Sequence, residues 1–218
     1  MNTEIKYSPK SIDEFIFAND KLKLKVERYA SGGAMRPLIL HGTHGTGKSL
    51  LSKLIPKAIE GDGVQLTKIH AEDLNSTKEI RSQFVRSSLF DSMFEPEGQS
   101  RNYNIIDEAN EAVKGKGALR ESIDAMNGRD LTIFTTNEVG KMDSGLLSRC
   151  EVVEVPPVPA DRFHSRAQQI LRNEGVVLPD DVVLTVLESV YEAHKDNREY
   201  YKALDELIYQ ATKAQRQN

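Results

Sequence analysis

The sequence predicts an α/β fold in which a parallel sheet flanked by helices is followed by a small all-helical domain. Three observations carry this. The segment Gly42-Thr43-His44-Gly45-Thr46-Gly47-Lys48-Ser49 matches the pattern G-x-x-x-x-G-K-[ST] and stands between an apolar run and a helical stretch. Short apolar runs recur as far as Val155, with helical periodicity in most of the intervals between them. After Pro156-Pro157-Val158-Pro159 those runs stop and only helical patterns follow.

The early segment mixes charge with Ile12, Phe15, Ile16 and Phe17. It turns helical through Leu22, Val26 and Tyr29 until Ser31-Gly32-Gly33 breaks the pattern. Leu38-Ile39-Leu40, with Pro37 before it and glycines after it, reads as a buried parallel strand. Leu51, Leu54, Ile55 and Ala58 specify the next helix. Pro56 falls inside it, cannot donate to the carbonyl of Ser52, and predicts a kink or an early end. Further strands are expected at Val64 to Ile69, Tyr103 to Ile106, Leu131 to Thr135 and Val152 to Val155. Asn104, polar within an apolar run, predicts a less buried strand face. Helices are then expected over Phe163 to Asn173, through Val183, Val186, Leu187 and Val190, and through Leu204, Leu207, Ile208 and Ala211. Pro179-Asp180-Asp181 supplies the start signal for the middle one. The chain order therefore suggests a phosphate-loop domain over residues 1–156 and a helical domain over 157–218.

With 218 residues, 39% of them hydrophobic, the chain can bury a core in one or two domains. Its 29 basic and 33 acidic residues exclude a globally basic binder, so any basic contact surface is local. No run approaches the ~18 apolar residues of a membrane span and the N-terminus lacks a signal-peptide layout, so a cytoplasmic protein without a membrane partner is expected. The single cysteine, Cys150, excludes an internal disulfide and a thiolate zinc site, and reads as a small buried residue. The five histidines form no metal-ligand pattern.

The glycine loop points to chemistry. Glycines let successive N–H groups turn inward around phosphate oxygens at the positive end of the following helix. Residues Gly42 to Ser49, with Leu50 next, are thus expected to bind the phosphates of ATP. Lys48 would bridge the β- and γ-phosphates, and the Ser49 hydroxyl would coordinate Mg²⁺. A second carboxylate for the metal is expected at the end of a buried strand, where Asp107 stands. Glu108, one residue on, is placed to polarise water as a general base. Asn137, after the Leu131 strand, either contacts the γ-phosphate and orients that water or caps its own loop.

The order of these pieces resembles the AAA+ ATPases and, within them, the replication factor C-like clamp-loader subunits. Lys6-Tyr7-Ser8-Pro9 is similar to the family's Lys-Tyr-Arg-Pro box that wraps adenine, with Ser8 in place of arginine, which makes Tyr7 a nucleotide contact. Gly42 to Ser49 and Asp107-Glu108-Ala109 look like Walker A and Walker B, Thr136-Asn137 looks like sensor 1, and Ala118-Leu119-Arg120 sits where the family has a similar helix. Leu147-Ser148-Arg149-Cys150 resembles the Ser-Arg-Cys motif, which implies that Arg149 is an arginine finger for the neighbouring subunit's nucleotide. Asp196-Asn197-Arg198 resembles the Gly-Asp-x-Arg segment of sensor 2, with Lys195 where glycine is usual, and implies an Arg198 contact to the γ-phosphate.

The resemblance implies an AAA+ sheet domain with a helical lid, ATP and Mg²⁺ as cofactors, and other AAA+ subunits as partners. The family's helical collar has no counterpart before Asn218, so either a partner or the ATPase faces themselves would supply the ring contacts. Lys114, Lys116 and Arg120, beside Gly115 and Gly117, are candidate DNA contacts, with Arg81 and Arg86 as weaker ones. The expected function is Mg-dependent ATP hydrolysis in an oligomer that loads or remodels a protein on DNA. The alternative is a regulatory or remodelling ATPase that acts on a protein partner without touching DNA. For such a partner Leu89 to Phe94 offers an apolar segment, although helix-core packing is the commoner explanation.

Overall fold

The computed structural model describes residues 2–70, 101–111, 116–125 and 130–217. Within these, five strands form one parallel sheet: β1 (Leu38–His41), β2 (Leu66–His70), β3 (Tyr103–Asp107), β4 (Leu131–Thr136) and β5 (Glu151–Glu154), in the order β2-β3-β4-β1-β5. The described helices are α1 (Thr3–Lys6), α2 (Asp20–Ala30), α3 (Lys48–Glu60), α4 (Lys116–Asp124), α5 (Ser144–Leu147), α6 (Ala160–Asn173), α7 (Asp180–His194) and α8 (Asn197–Gln217). The segment Leu89 to Phe94, Arg81 and Arg86 lie outside the described residues. Among the described residues no helix is long and apolar enough to cross a membrane.

Contacts group the chain into two compact units. One holds Leu24–Gly42 and Lys48–Val155; the other holds Met1–Lys23, Thr43–Gly47 and Pro156–Asn218. A division at residue 156 therefore follows chain order, whereas the contacts gather residues 1–23 and the crown of the glycine loop with the C-terminal helices.

In the sheet unit, β3 and β4 are buried along their whole length because strands or helices cover them on every side. Ile39, Ile106 and Phe134 from three neighbouring strands pack with Leu119 and Ile123 of α4 and with Leu146 and Cys150. Asn104 corrects one expectation. It sits on no exposed face but is only 2% exposed, between Thr67 of β2 and Thr132 of β4, and its Oδ1 has no hydrogen-bond partner. Of the two outcomes expected at Pro56, a kink or an early end, the second does not occur. α3 runs to Glu60, because Leu51, Leu54 and Ile55 bury its inner face and that burial outweighs one missing N–H donor. β2 starts two residues later than its apolar pattern, at Leu66, in register with Tyr103. β5 starts one residue earlier, because the Glu151 N–H donates to the Pro37 carbonyl (2.8 Å) and Glu151 pairs with Leu38.

The helical unit is built around Phe163, Ala167, Ile170 and Leu171 of α6, Val183 and Leu187 of α7, and Tyr200, Leu204 and Ile208 of α8. Phe163 stacks on Tyr200 with ring centroids 4.5 Å apart, and the buried Tyr200 hydroxyl is satisfied by donating to the Val158 carbonyl (2.8 Å). The N-terminal turn is tied to α8. The Thr3 N–H donates to Asp205 (3.2 Å) and the fully buried Thr3 hydroxyl to the Tyr201 carbonyl (3.0 Å).

Candidate nucleotide site

Strand β1 hands over to the loop at Gly42, whose φ of +148° and position against Val155 exclude a side chain: a Cβ would lie 2.4 Å from the Val155 carbonyl oxygen. α3 begins at Lys48, which is 7% exposed and whose Nζ donates to the Gly42 carbonyl (2.9 Å). The lysine thus folds back onto the base of its own loop. Ser49, the next residue, is exposed, and its hydroxyl is among the groups that lower the Asp107 carboxyl at the end of β3.

Asp107 is 9% exposed and densely bonded. Thr135 Oγ1 donates to its Oδ1 (2.9 Å) and Lys68 Nζ lies 2.9 Å from its Oδ2. Burial by itself would raise this carboxyl. The hydrogen bonds from Lys68 and Thr135, the lysine charge and the Ser49 hydroxyl outweigh it and hold the group below the ordinary carboxylate value. The exposed Ser49 hydroxyl at the head of α3 and the ionised Asp107 carboxylate at the end of β3 are hard oxygen donors of the kind Mg²⁺ takes, so the residues fit that ion.

Glu108 is exposed and adopts φ +55°, the left-handed conformation that costs a non-glycine residue ~1–2 kcal/mol. That turn swings the chain out of β3 into the short 3-10 turn Ala109–Glu111 and leaves the Glu108 side chain at the strand end, its N–H on Thr135 Oγ1 (3.4 Å). On the adjoining strand, Thr136 Oγ1 donates to Asn110 Oδ1 (2.8 Å) and accepts the Glu138 N–H (3.0 Å), and half-buried Asn137 follows directly. Sequence reasoning passed over Lys68, Thr135 and Asn110. Only Thr135 carried a signal, as a hydroxyl at the polar end of a buried strand.

Arg149 forms an in-chain pair. Its Nε donates to Asp124 Oδ1 (2.7 Å) and its Nη1 to the Gly145 carbonyl (2.9 Å), while Arg36 holds the carbonyls of Ser148 (2.8 Å) and Arg149 (3.1 Å) from the other side. Arg120 is likewise engaged: its Nε and Nη2 each lie 2.7 Å from a different oxygen of Asp143, the residue that caps α5 by accepting the Leu146 N–H. Lys116 opens α4, with its side chain outside the described residues, and Lys114 lies outside them altogether.

In the helical unit the crown of the loop, Thr43–Gly47, is held by the start of α8. Asn197 Nδ2 donates to the Thr46 carbonyl (3.3 Å) while Asn197 Oδ1 accepts the Val158 N–H (2.8 Å). Asp196 packs so closely on Gly45 that any Cβ there would overlap it, and it caps α8 by accepting the Arg198 N–H (2.8 Å). Gly47 faces the Phe15 ring. His44 is exposed, Leu50 is half-buried, and the Thr46 hydroxyl donates to the Thr43 carbonyl (3.2 Å). Arg198 is exposed, with Nε 3.6 Å from Glu4. The Tyr7 hydroxyl donates to Glu174 Oε1 (2.6 Å), an oxygen that also accepts from Lys6 (2.6 Å); these two bonds, Lys6 foremost, hold the Glu174 carboxyl below its usual value.

A glycine loop that follows β1 and closes on a lysine at the head of a helix, with an acid at the end of β3, defines the P-loop class of nucleotide-binding domains. The model of the ATPase family associated with various cellular activities (AAA) matches residues 38–157, and the chain belongs to that family. Among curated relatives, a replication factor C small subunit 1 from Pyrobaculum arsenaticum is 26% identical over 190 residues, covering 84% of this chain and 55% of the relative. A replication factor C small subunit from Picrophilus torridus is 25% identical over 190 residues, covering 86% and 57%. The chain spans about half the length of the curated relatives it matches. Two solved structures share the fold with a TM-score of 0.61. A RuvB variant from Thermotoga maritima is 17% identical, with 91% of this chain and 72% of that one covered; domain III of the Thermotoga maritima replication initiation protein DnaA is 18% identical, with 94% and 90% covered.

Proposed function

We propose that the chain binds ATP with Mg²⁺ and hydrolyses it within an AAA+ assembly that loads or remodels a protein on DNA. The observation that carries the catalytic part is the buried Asp107 carboxylate at the end of β3, held ionised by Thr135 and Lys68, with α3, whose first residues are Lys48 and Ser49, packed on that strand. Residues Gly42 to Leu50 and Tyr7 bind the nucleotide, and Lys48 exchanges the Gly42 carbonyl for the β- and γ-phosphates. Ser49 and Asp107 would hold Mg²⁺, which when bound would supply charge neutralisation on the phosphates. Glu108 accepts a proton from the attacking water, oriented by the Asn137 amide, and Arg198 contacts the γ-phosphate. Arg149 leaves Asp124 to stabilise the developing charge at the next subunit's nucleotide, which couples turnover to assembly.

Similarity to replication factor C small subunits supports the DNA-linked part of this reading and a partnership with other AAA+ subunits. One observation favours a second reading, action on a protein partner without DNA contact: Arg120, a candidate DNA contact with Lys114 and Lys116, is already forked onto Asp143.

Steady-state ATPase rate against protein concentration, with and without primed DNA at low salt, tests both. A rate per subunit that rises with concentration and again with DNA supports the DNA-linked reading; one that rises with concentration alone supports the second. A Glu108→Gln protein is expected to bind ATP and fail to hydrolyse it. Hydrolysis by that variant at the wild-type rate would overturn the mechanism.

A further inference from the structure

Among the described residues Lys68 is the cation paired with Asp107, and neither the family pattern nor the proposed mechanism uses it. It lies on β2 in register with Ile105, two residues before Asp107 on β3, so the alternation of side chains along parallel strands puts Lys68 and Asp107 on the same sheet face. Its ammonium is 2.9 Å from Oδ2, while Thr135 occupies Oδ1. The aspartate side chain is 12% exposed and the lysine side chain 43% exposed. The acid is therefore fixed in the interior and its counter-ion enters from the solvent side.

We propose that Lys68 is a resident counter-cation that sets the divalent-metal requirement of the site, a role that rests on the reading of Ser49 and Asp107 as metal holders. A bare carboxylate this deeply buried attracts a divalent ion by itself. With an ammonium on Oδ2 the pair is neutral, and an approaching metal meets a positive charge at contact distance. The metal then gains a hold only when a polyphosphate brings enough negative charge to shift the balance, and Lys68 withdraws through its exposed side. The lysine thus keeps the site closed to free metal and open to metal with nucleotide. It touches neither substrate nor reacting atoms and is a positioning residue.

The test is the Mg²⁺ dependence of binding of a fluorescent, non-hydrolysable ATP analogue to the full chain, for wild type, Lys68→Met and Lys68→Arg. Electron paramagnetic resonance titration with Mn²⁺ in the absence of nucleotide accompanies it. Loss of one positive charge beside a carboxylate at the edge of solvent should lower the half-saturating Mg²⁺ concentration of Lys68→Met roughly five- to tenfold. It should also make Mn²⁺ binding without nucleotide detectable, while Lys68→Arg behaves as wild type and analogue binding in EDTA stays the same in all three. An equal or higher metal requirement in a folded Lys68→Met protein overturns the role of Lys68. Should methionine unfold the sheet, Lys68→Gln, neutral but still able to donate to Oδ2, decides on the same criterion. Failure of the wild-type protein to bind the analogue at any metal concentration overturns instead the reading of Ser49 and Asp107.

Discussion

Replacing Gly42 by alanine isolates what the end of β1 demands of the loop. The new Cβ would lie 2.4 Å from the Val155 carbonyl oxygen and 3.2 Å from its carbon, with φ at +148°. The obstacle is backbone and cannot swing aside, because the Val155 N–H is itself bonded to the His41 carbonyl (2.7 Å) at the end of the β1–β5 ladder. A conformation reserved to glycine costs ~1–3 kcal/mol and an overpacked contact another ~1–3 kcal/mol. The reduced freedom of the unfolded chain gives back ~0.4–1 kcal/mol. The net loss is about 1–5.6 kcal/mol, which at roughly 2–4 °C per kcal/mol for a chain of this size lowers Tm by about 2–22 °C. Gly61 is the matched control in the same unit, with φ +90° and no atom within 4 Å of its would-be Cβ. Gly61→Ala carries the conformational part without the clash and should melt about 2–12 °C above Gly42→Ala. Both are read by far-UV circular dichroism without nucleotide, so that ligand binding adds nothing to either. Melting of the two variants within about 2 °C of each other would refute the argument from Val155.

Cys150, whose thiol burial pushes up to about 12 against the pull of Arg36 and Arg149, should react with a thiol reagent at pH 8 no faster than the protein unfolds; immediate stoichiometric labelling would contradict its burial. Asp107 titrates below its ordinary 3.8 in the folded state, so the stability it contributes is present above that value and lost as pH falls through the depressed one. Asp107→Asn should therefore show a flatter fall in urea midpoint than wild type between about pH 5 and pH 3, and parallel profiles would exclude the effect. Arg149→Ala should lose at least ~100-fold in ATP turnover with nucleotide affinity unchanged. Mixing it with Glu108→Gln subunits should restore part of the rate, and no restoration at any ratio would exclude action in trans.

Strands β3 and β4 were legible to within a residue because Ile105-Ile106 and Ile133-Phe134 give each an apolar centre, although the buried Asn104 and Thr132 interrupt the runs. β5 was less so, since its first pairing residue is a glutamate anchored through its backbone to Pro37. The acid at the end of β3 and the serine after the glycine loop could be read from spacing alone. The ion pairs around the site could not: Lys68 with Asp107, Arg149 with Asp124 and Arg120 with Asp143 join side chains that only the folded sheet and its helices bring into range. Lys195, found where the resemblance leads one to expect glycine, does take the left-handed conformation, φ +53°, and its ammonium rests 3.7 Å from the centre of the Tyr191 ring. The N-terminal segment offered no comparable signal, because it is tied to α8 through Thr3, whose small polar side chain says nothing of burial.

The position of β1 bears on how the protein is made. Its two neighbours, β4 and β5, are both encoded about a hundred residues downstream of it, so its pairings are among the most distant in the chain and close slowly. A chain stopped on the ribosome before Leu131 presents Leu38-Ile39-Leu40 with neither neighbouring strand yet synthesised, an apolar segment with open backbone donors and acceptors on both sides. The nucleotide loop hangs from the end of that strand. It gains its rigid base only as residues 151–154 emerge, and until then the nascent chain depends on being shielded from its own kind.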